Sequence, residues 1–218
     1  MSARDRLRAN DARFLAVATT FSADDWARPS LCEGWSNHDV LAHLVVGCSA
    51  GVVALTAEIR CHRWSFDRAN AAMARSLAVS RTPTQLLDEF NSLAQRPQGL
   101  GRYFPPRLLL GDHITHELDM LFALGREPAI PADALVAVLN TQVNVPNPFV
   151  PAYRNSRGLR LAATDAEWTH GQGPLVRGPA AEMVSVLGNR PAMLGHLDGD
   201  GVDTLASRVS RHLIRRAG

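Results

Sequence analysis

From Ser36 to about Ile59 the chain reads as one long helix, almost continuously apolar apart from Asp39 and His43. A helix that apolar has no face to give to water, so it has to lie inside a bundle of other helices. Ser36 is its N-cap, with Asp39 three residues on facing the exposed amides of the first turn.

The partners for that bundle are legible on either side. Residues 4–20 place Leu7, Phe14, Leu15 and Ala18 near one stripe, as an amphipathic helix does. Ser22 to Asp25 forms a capping-box pattern that opens a short helix before Pro29. Thr82-Pro83 starts a further helix, Thr as cap and Pro in the first turn, which turns Leu86, Leu87 and Phe90 inward. A fourth principal helix spans roughly Arg107 to Leu124 and stops at Gly125, and a short one runs from Pro131 to Asn140. The fold expected is mainly α, with an N-terminal four-helix bundle over residues 1–142.

After Asn140 the character changes. VNVPNPFVPAYRNSRG reads as a linker, GLRLAATD as a strand, and EWTHGQGPLVRG as a turn and a second strand. A helix from Pro179 to Leu187 and another from Val202 to Arg216 complete a small C-terminal α/β domain over residues 143–218. The arginines at the end of that last helix, Arg211, Arg215 and Arg216, suit its dipole.

Composition narrows the function. A net charge of +2 gives no concentrated basic face, so no nucleic-acid partner is expected. No run of about 18 apolar residues suggests a membrane span. The charged N-terminus lacks the apolar core of a signal peptide, and Cys32, Cys48 and Cys61 show no paired spacing, so a reducing cytoplasm is expected. All 23 basic residues are Arg, a coding bias that suggests a GC-rich genome such as that of an actinobacterium.

The chemistry concentrates in GDHITHELDM. At about 100° per residue, Asp112, His116 and Asp119 fall within roughly 60° of one another. The rest of that helix carries Leu110, Ile114, Leu118 and Leu121. Ionisable groups on a helix buried all round are costly unless paired or bound to metal. A carboxylate and a His at i, i+4 can converge on one ion, and His43, on the apolar helix, offers a third ligand. Two imidazoles and a carboxylate suit Zn²⁺, with Ni²⁺ or another divalent ion also accepted. Asp39, one turn before His43, is a candidate partner for its free ring nitrogen. The same residues admit a plainer reading, in which His43 is a satisfied core histidine and Asp112 with His116 a hydrogen-bonded pair. His113 is a rival ligand on the adjacent face.

CEGWSNHDVLAHL, then DHITHELDMLFALGREPAIP about 70 residues later, then the tail from GLRLAATD to LGHLDGDGV, together resemble the mycothiol-dependent maleylpyruvate isomerase family within the DinB-like metalloenzyme superfamily. The resemblance covers essentially the whole chain. It implies a metal held by His43, Asp112 and His116, with Asp112 where the characterised isomerase has Glu, and Asp119 as a supporting residue. It also implies mycothiol as a cofactor whose metal-bound thiol becomes a thiolate. That thiolate adds to a small electrophilic substrate, which is then isomerised or kept as a conjugate. Arg75 is the first candidate for a catalytic cation beside an anionic substrate, and Arg68 the second. Cys48 reads as core, and Trp168 and His170 as packing and turn residues. The alternative function is a metal- or ligand-binding bundle without turnover. In either case the chain is expected to be a monomer or homodimer.

Overall fold

The computed structural model describes residues 1–147 and 150–216, with side chains through Val209. The chain forms two compact units, Met1–Arg126 and Glu127–Gly218.

The first unit contains α1 (Ala3–Ala18), α2 (Ala23–Ala27), α3 (Asn37–Ser49), α4 (Val52–Cys61), α5 (Phe66–Ser80), α6 (Pro83–Gln95) and α7 (Pro106–Ala123). Helices α1, α7, α3 and α6 pack in that cyclic order, α6 closing back on α1. This is the four-helix bundle anticipated. Its helices start where the caps indicate: Ser2, Ser22, Ser36 and Thr82 each close a capping box, typically worth about 1 kcal/mol apiece. Phe90 is fully buried on α6 and meets Phe14 of α1 edge-on at 5.7 Å.

Two features depart from the sequence reading. The helix expected through Ile59 ends at Ser49, and α4 restarts after Gly51. The reason lies elsewhere in the chain. The Gln98 amide donates to the Cys48 carbonyl and the Leu100 amide to that of Ala50, at 2.9 and 2.8 Å, so this loop satisfies carbonyls that the helix end leaves open. Between them Gly99 adopts φ +49°, where a Cβ would lie 2.2 Å from the Ala50 carbonyl oxygen. Only the first half of the apolar run is interior: Val40 to Val46 are buried, whereas α4 buries no residue.

The second departure is α5, which the sequence reading did not identify. Its buried residues are Ala69, Ala74 and Ala78, too small to give a strong apolar stripe, and it packs along α3 outside the ring of four.

The α1–α7 seam is also more polar than a hydrophobic stripe suggests. Leu7, Phe14 and Ala18 are buried as expected, but so are Asn10 and Asp11. Asp11 Oδ1 meets His113 Nδ1 at 2.7 Å. Arg13 grips Glu117 with both terminal nitrogens. Burial pushes the Glu117 carboxyl up, and the Arg13 guanidinium pulls it back only in part.

The second unit contains α8 (Ala132–Asn144), α9 (Ala152–Ser156), β1 (Arg160–Ala163), β2 (Thr169–His170), β3 (Leu175–Gly178), α10 (Ala180–Leu187) and α11 (Val202–Arg216). The sheet order is β2-β1-β3, with β1 antiparallel to β2 and parallel to β3. Helix α8 packs on α10, where Gln142 Nε2 donates to the Val184 carbonyl at 3.3 Å. The packing division after Arg126 and the change in composition after residue 142 are thus different boundaries, because α8 buries its apolar face within the second unit. Trp168 donates to Asn140 Oδ1 at 2.8 Å and lies nearly parallel to His170. The side chains of Arg211, Arg215 and Arg216 lie outside the described residues. Among the described residues no helix is long and apolar enough to cross a membrane.

Removing one partner of a buried ion pair leaves the other charge uncompensated. Arg13→Ala is therefore expected to destabilise the first unit by about 3–5 kcal/mol in urea denaturation. A loss under about 1 kcal/mol would mean that water already screens Glu117.

Candidate metal centre

Helix α7 carries Asp112, His116 and Asp119 on one side, and α3 brings His43 against them. The Asp112 carboxylate sits between two imidazoles: Oδ2 lies 3.6 Å from His43 Nε2, and Oδ1 lies 3.6 Å from His116 Nε2. The ring centroids of His43 and His116 are 4.6 Å apart. One ligand atom from each of the three residues lies within 4.8 Å of the others.

These separations fit an ion better than they fit each other. A hydrogen bond between such groups would close to about 2.7–3.2 Å. Donor atoms 3.6 Å apart subtend roughly 120° at an ion with bonds of about 2.0–2.1 Å, near the angles that zinc accepts. His43 Nε2 is buried without a hydrogen-bond partner, a cost that a bound cation would remove.

The outward-facing ring nitrogens are anchored. His116 Nδ1 is 3.0 Å from Oδ2 of the fully buried Asp119. His43 Nδ1 lies against the Asn70 amide of α5, 3.3 Å from Oδ1 and 3.1 Å from Nδ2. With Nδ1 protonated on both rings, Asp119 and the Asn70 oxygen accept, and both Nε2 lone pairs face Asp112. Polar partners behind a histidine commonly fix a metal ligand in this way.

The electrostatics agree. Burial lowers the His116 pKa, and the adjacent His43 lowers it further against the opposing pull of Asp119, so the ring is held toward the neutral, ligating form. Burial would push the Asp112 carboxyl up, but His43 and His116 beside it win, and it stays well below the usual carboxylate range. The imidazole side chains are 11% exposed and that of Asp112 37%, so the centre opens to solvent on the Asp112 side. Trp35 walls another side: its indole lies nearly parallel to the His116 ring at 6.4 Å and tilted against His43 at 5.3 Å.

Residues 7–120 match the family model for the mycothiol maleylpyruvate isomerase N-terminal domain. The chain belongs to that family. Two solved structures share its fold over 92% of this chain and 93% of theirs, each at 14% identity: a mycothiol-dependent maleylpyruvate isomerase (TM-score 0.57) and a histidine-to-alanine mutant of a mycothiol-dependent maleylpyruvate isomerase (TM-score 0.55). No curated protein sequence matches the chain.

Other candidates fall elsewhere in this family fold. Asp39 does not support His43. Its carboxylate accepts from the Ser36 amide and hydroxyl, at 2.9 and 2.7 Å, because a carboxylate at the third helical position is already claimed by the cap. Asn70, on the unrecognised α5, takes the place beside His43. His113 turns away, to Asp11 and to Cys48 Sγ at 3.8 Å, and Cys48 is buried. Arg75 is exposed, and its Nη2 donates to the Gly34 carbonyl at 3.1 Å, in the turn just before Trp35. Arg68 is exposed on the same helix. The sequence reading missed Asn70 and the role of Trp35. Trp35 was findable within the CEGWS segment, whereas Asn70 had no signal without α5.

Elemental analysis of the purified protein is expected to find one divalent ion per chain, lost in His43→Ala. Asp119→Asn is expected to weaken ion affinity by about 10–100-fold with helix content unchanged, as measured by competition with a chelator and by circular dichroism. Unchanged affinity would remove Asp119 from the support of His116.

Proposed function

We propose that this protein is a metal-dependent enzyme that uses mycothiol, through an ion held by His43, Asp112 and His116, to isomerise or conjugate a small electrophilic substrate. The observation that carries the reading is the trio of mutually unbonded donor atoms around Asp112, anchored from behind by Asn70 and Asp119 and open to solvent on one side. Family membership supplies the class of thiol. Three protein ligands with an exposed side fit a catalytic ion rather than a structural one, which would be closed by four.

A divalent ion bound there supplies Lewis acidity, lowering the pKa of a coordinating thiol so that a thiolate exists at neutral pH. The chain's own residues prepare the rest. Asn70 and Asp119 fix the imidazole orientations, so little reorganisation is needed when a ligand arrives. Trp35 keeps water from the flank of both rings. Arg75, through Gly34, braces the turn that positions Trp35; in this reading it also remains the first candidate cation for an anionic substrate. Zn²⁺ fits the donor set, and Ni²⁺ fits it nearly as well. A cytoplasmic setting, with a monomer or homodimer taking only small molecules, accords with this chemistry.

The decisive assay incubates the metallated protein with mycothiol and a panel of electrophiles that includes maleylpyruvate. Thiol-dependent isomerisation or adduct formation, abolished in His43→Ala, is expected. Stoichiometric metal with neither product nor thiol binding would instead favour a binding protein without turnover. Arg75→Ala should raise KM for anionic substrates more than it lowers kcat if the guanidinium meets substrate; a fall in kcat alone would assign it to bracing Trp35.

A further inference from the structure

Helix α4 is rich in apolar residues and buries none of them. It packs along α5, with Leu55 and Ile59 half-buried. Its other face is open: Val53 is 85% exposed, and Ala57, Arg60 and Cys61 are exposed beside it, all within about 100° around the helix. A shallow hollow of about 360 Å³ opens over Ala57, Arg60 and Cys61.

The turn that ends α4 displays a tryptophan at a cost in backbone strain. The Trp64 amide donates to the Ile59 carbonyl at 2.8 Å, the long closing bond of a Schellman motif. That motif usually has glycine where Arg63 adopts φ +54°, and its last residue usually packs back on the helix, here on Ile59. Trp64, at φ +62°, instead stands 74% exposed. Strain that persists without an internal contact to show for it points outward, to a function. At the other end of α4 the Leu100 amide fastens its loop to the Ala50 carbonyl, and that loop leads to the exposed rings of Tyr103 and Phe104.

We propose that this face is a homodimer interface, in which the α4 helices of two copies pack antiparallel about a two-fold axis at Ala57. The face is complementary to itself, as such an axis requires. Val53, four residues before the axis, meets the hollow beside the partner's Cys61, four residues after it. Trp64 reaches the opposite end of the partner's helix, where Val52 and the aromatic loop are exposed. Val53, Ala57 and Cys61 form an i, i+4, i+8 ridge, and ridges of that kind interdigitate in the commonest class of helix packing. Ala57 at the crossing lets the two backbones approach. A parallel pairing would set Arg60 against the partner's Arg60, whereas the antiparallel one parts them by about 9 Å along the axis, roughly a Debye length in 0.1 M salt.

The area suits a reversible dimer. At exposures of 74, 69 and 42%, the rings of Trp64, Tyr103 and Phe104 offer roughly 300–450 Å² together. With Val52, Val53 and the alanines of α4 the patch approaches the roughly 600 Å² per partner at which specific interfaces begin.

Sedimentation equilibrium of the full-length protein, from micromolar to sub-millimolar concentration, should show a monomer–dimer equilibrium that tightens with salt as the arginines are screened. Trp64→Ala and Val53→Asp should each weaken it about tenfold or more, with unchanged circular dichroism. Val53→Cys oxidised with diamide should give a disulfide-linked dimer, lost when Cys61→Ser is added. Wild type should not link through Cys61, about 12 Å along the axis from the partner's Cys61 and out of disulfide reach. A wild type that stays monomeric, or a dimer unmoved by both substitutions, would overturn the proposal. So would a Cys61-dependent link in the wild type, or a Val53→Cys link that survives Cys61→Ser.

Discussion

The first unit is organised around the cost of crowding five ionisable side chains into the middle of α7. Asp112, His113, His116, Glu117 and Asp119 fall within eight consecutive residues of a helix whose apolar positions, Leu110, Ile114, Leu118 and Leu121, are themselves buried. Such groups cannot stay unpaired inside a bundle, because each would lose its hydration without recompense. The neighbouring helices are selected by this need. Helix α1 supplies Asp11 for His113 and Arg13 for Glu117, and α3 supplies His43 for Asp112. His116 and Asp119 satisfy one another within α7.

This arrangement separates two tasks along one helix. On the α1 side the pairs are closed: carboxylate and cation touch. Burial lowers the His113 pKa, but Asp11 beside it more than reverses this and holds the imidazole well above its ordinary value. On the α3 side the pairs stand apart by 3.6 Å, and the rings are fastened only at their outer nitrogens. A helix locked on one face and left incomplete on the other is a scaffold for a ligand site that does not have to wait for its ligand in order to fold.

What could be read from the sequence follows the same division. The caps at Ser22, Ser36 and Thr82 are local, since side chain and amide lie within three residues, and they mark helix starts correctly. The convergence of Asp112 and His116 is also local, set by helical periodicity. The break at Ala50–Gly51 is not, because it depends on amides at Gln98 and Leu100 some fifty residues away. Helix α5 escaped because alanines carry its buried face, and with it went Asn70. Asp39 misled for an instructive reason: at one turn's spacing it suits both a cap and a histidine, and the cap, being closer, takes it.

The closed face also bears on what kind of centre the open face is. Were the ion structural, the bundle would depend on it for the approach of α3 to α7. Yet α1 already holds α7 through two buried pairs, and α6 closes the ring through Phe90 and Phe14. Without an ion the Asp112 carboxylate stays partly exposed to solvent beside two imidazoles that Asn70 and Asp119 still hold in place. An ion there adds little that the fold lacks. The open side at Asp112, beside Trp35, accords with the proposed metal centre, in which the remaining coordination would belong to a substrate or a thiol.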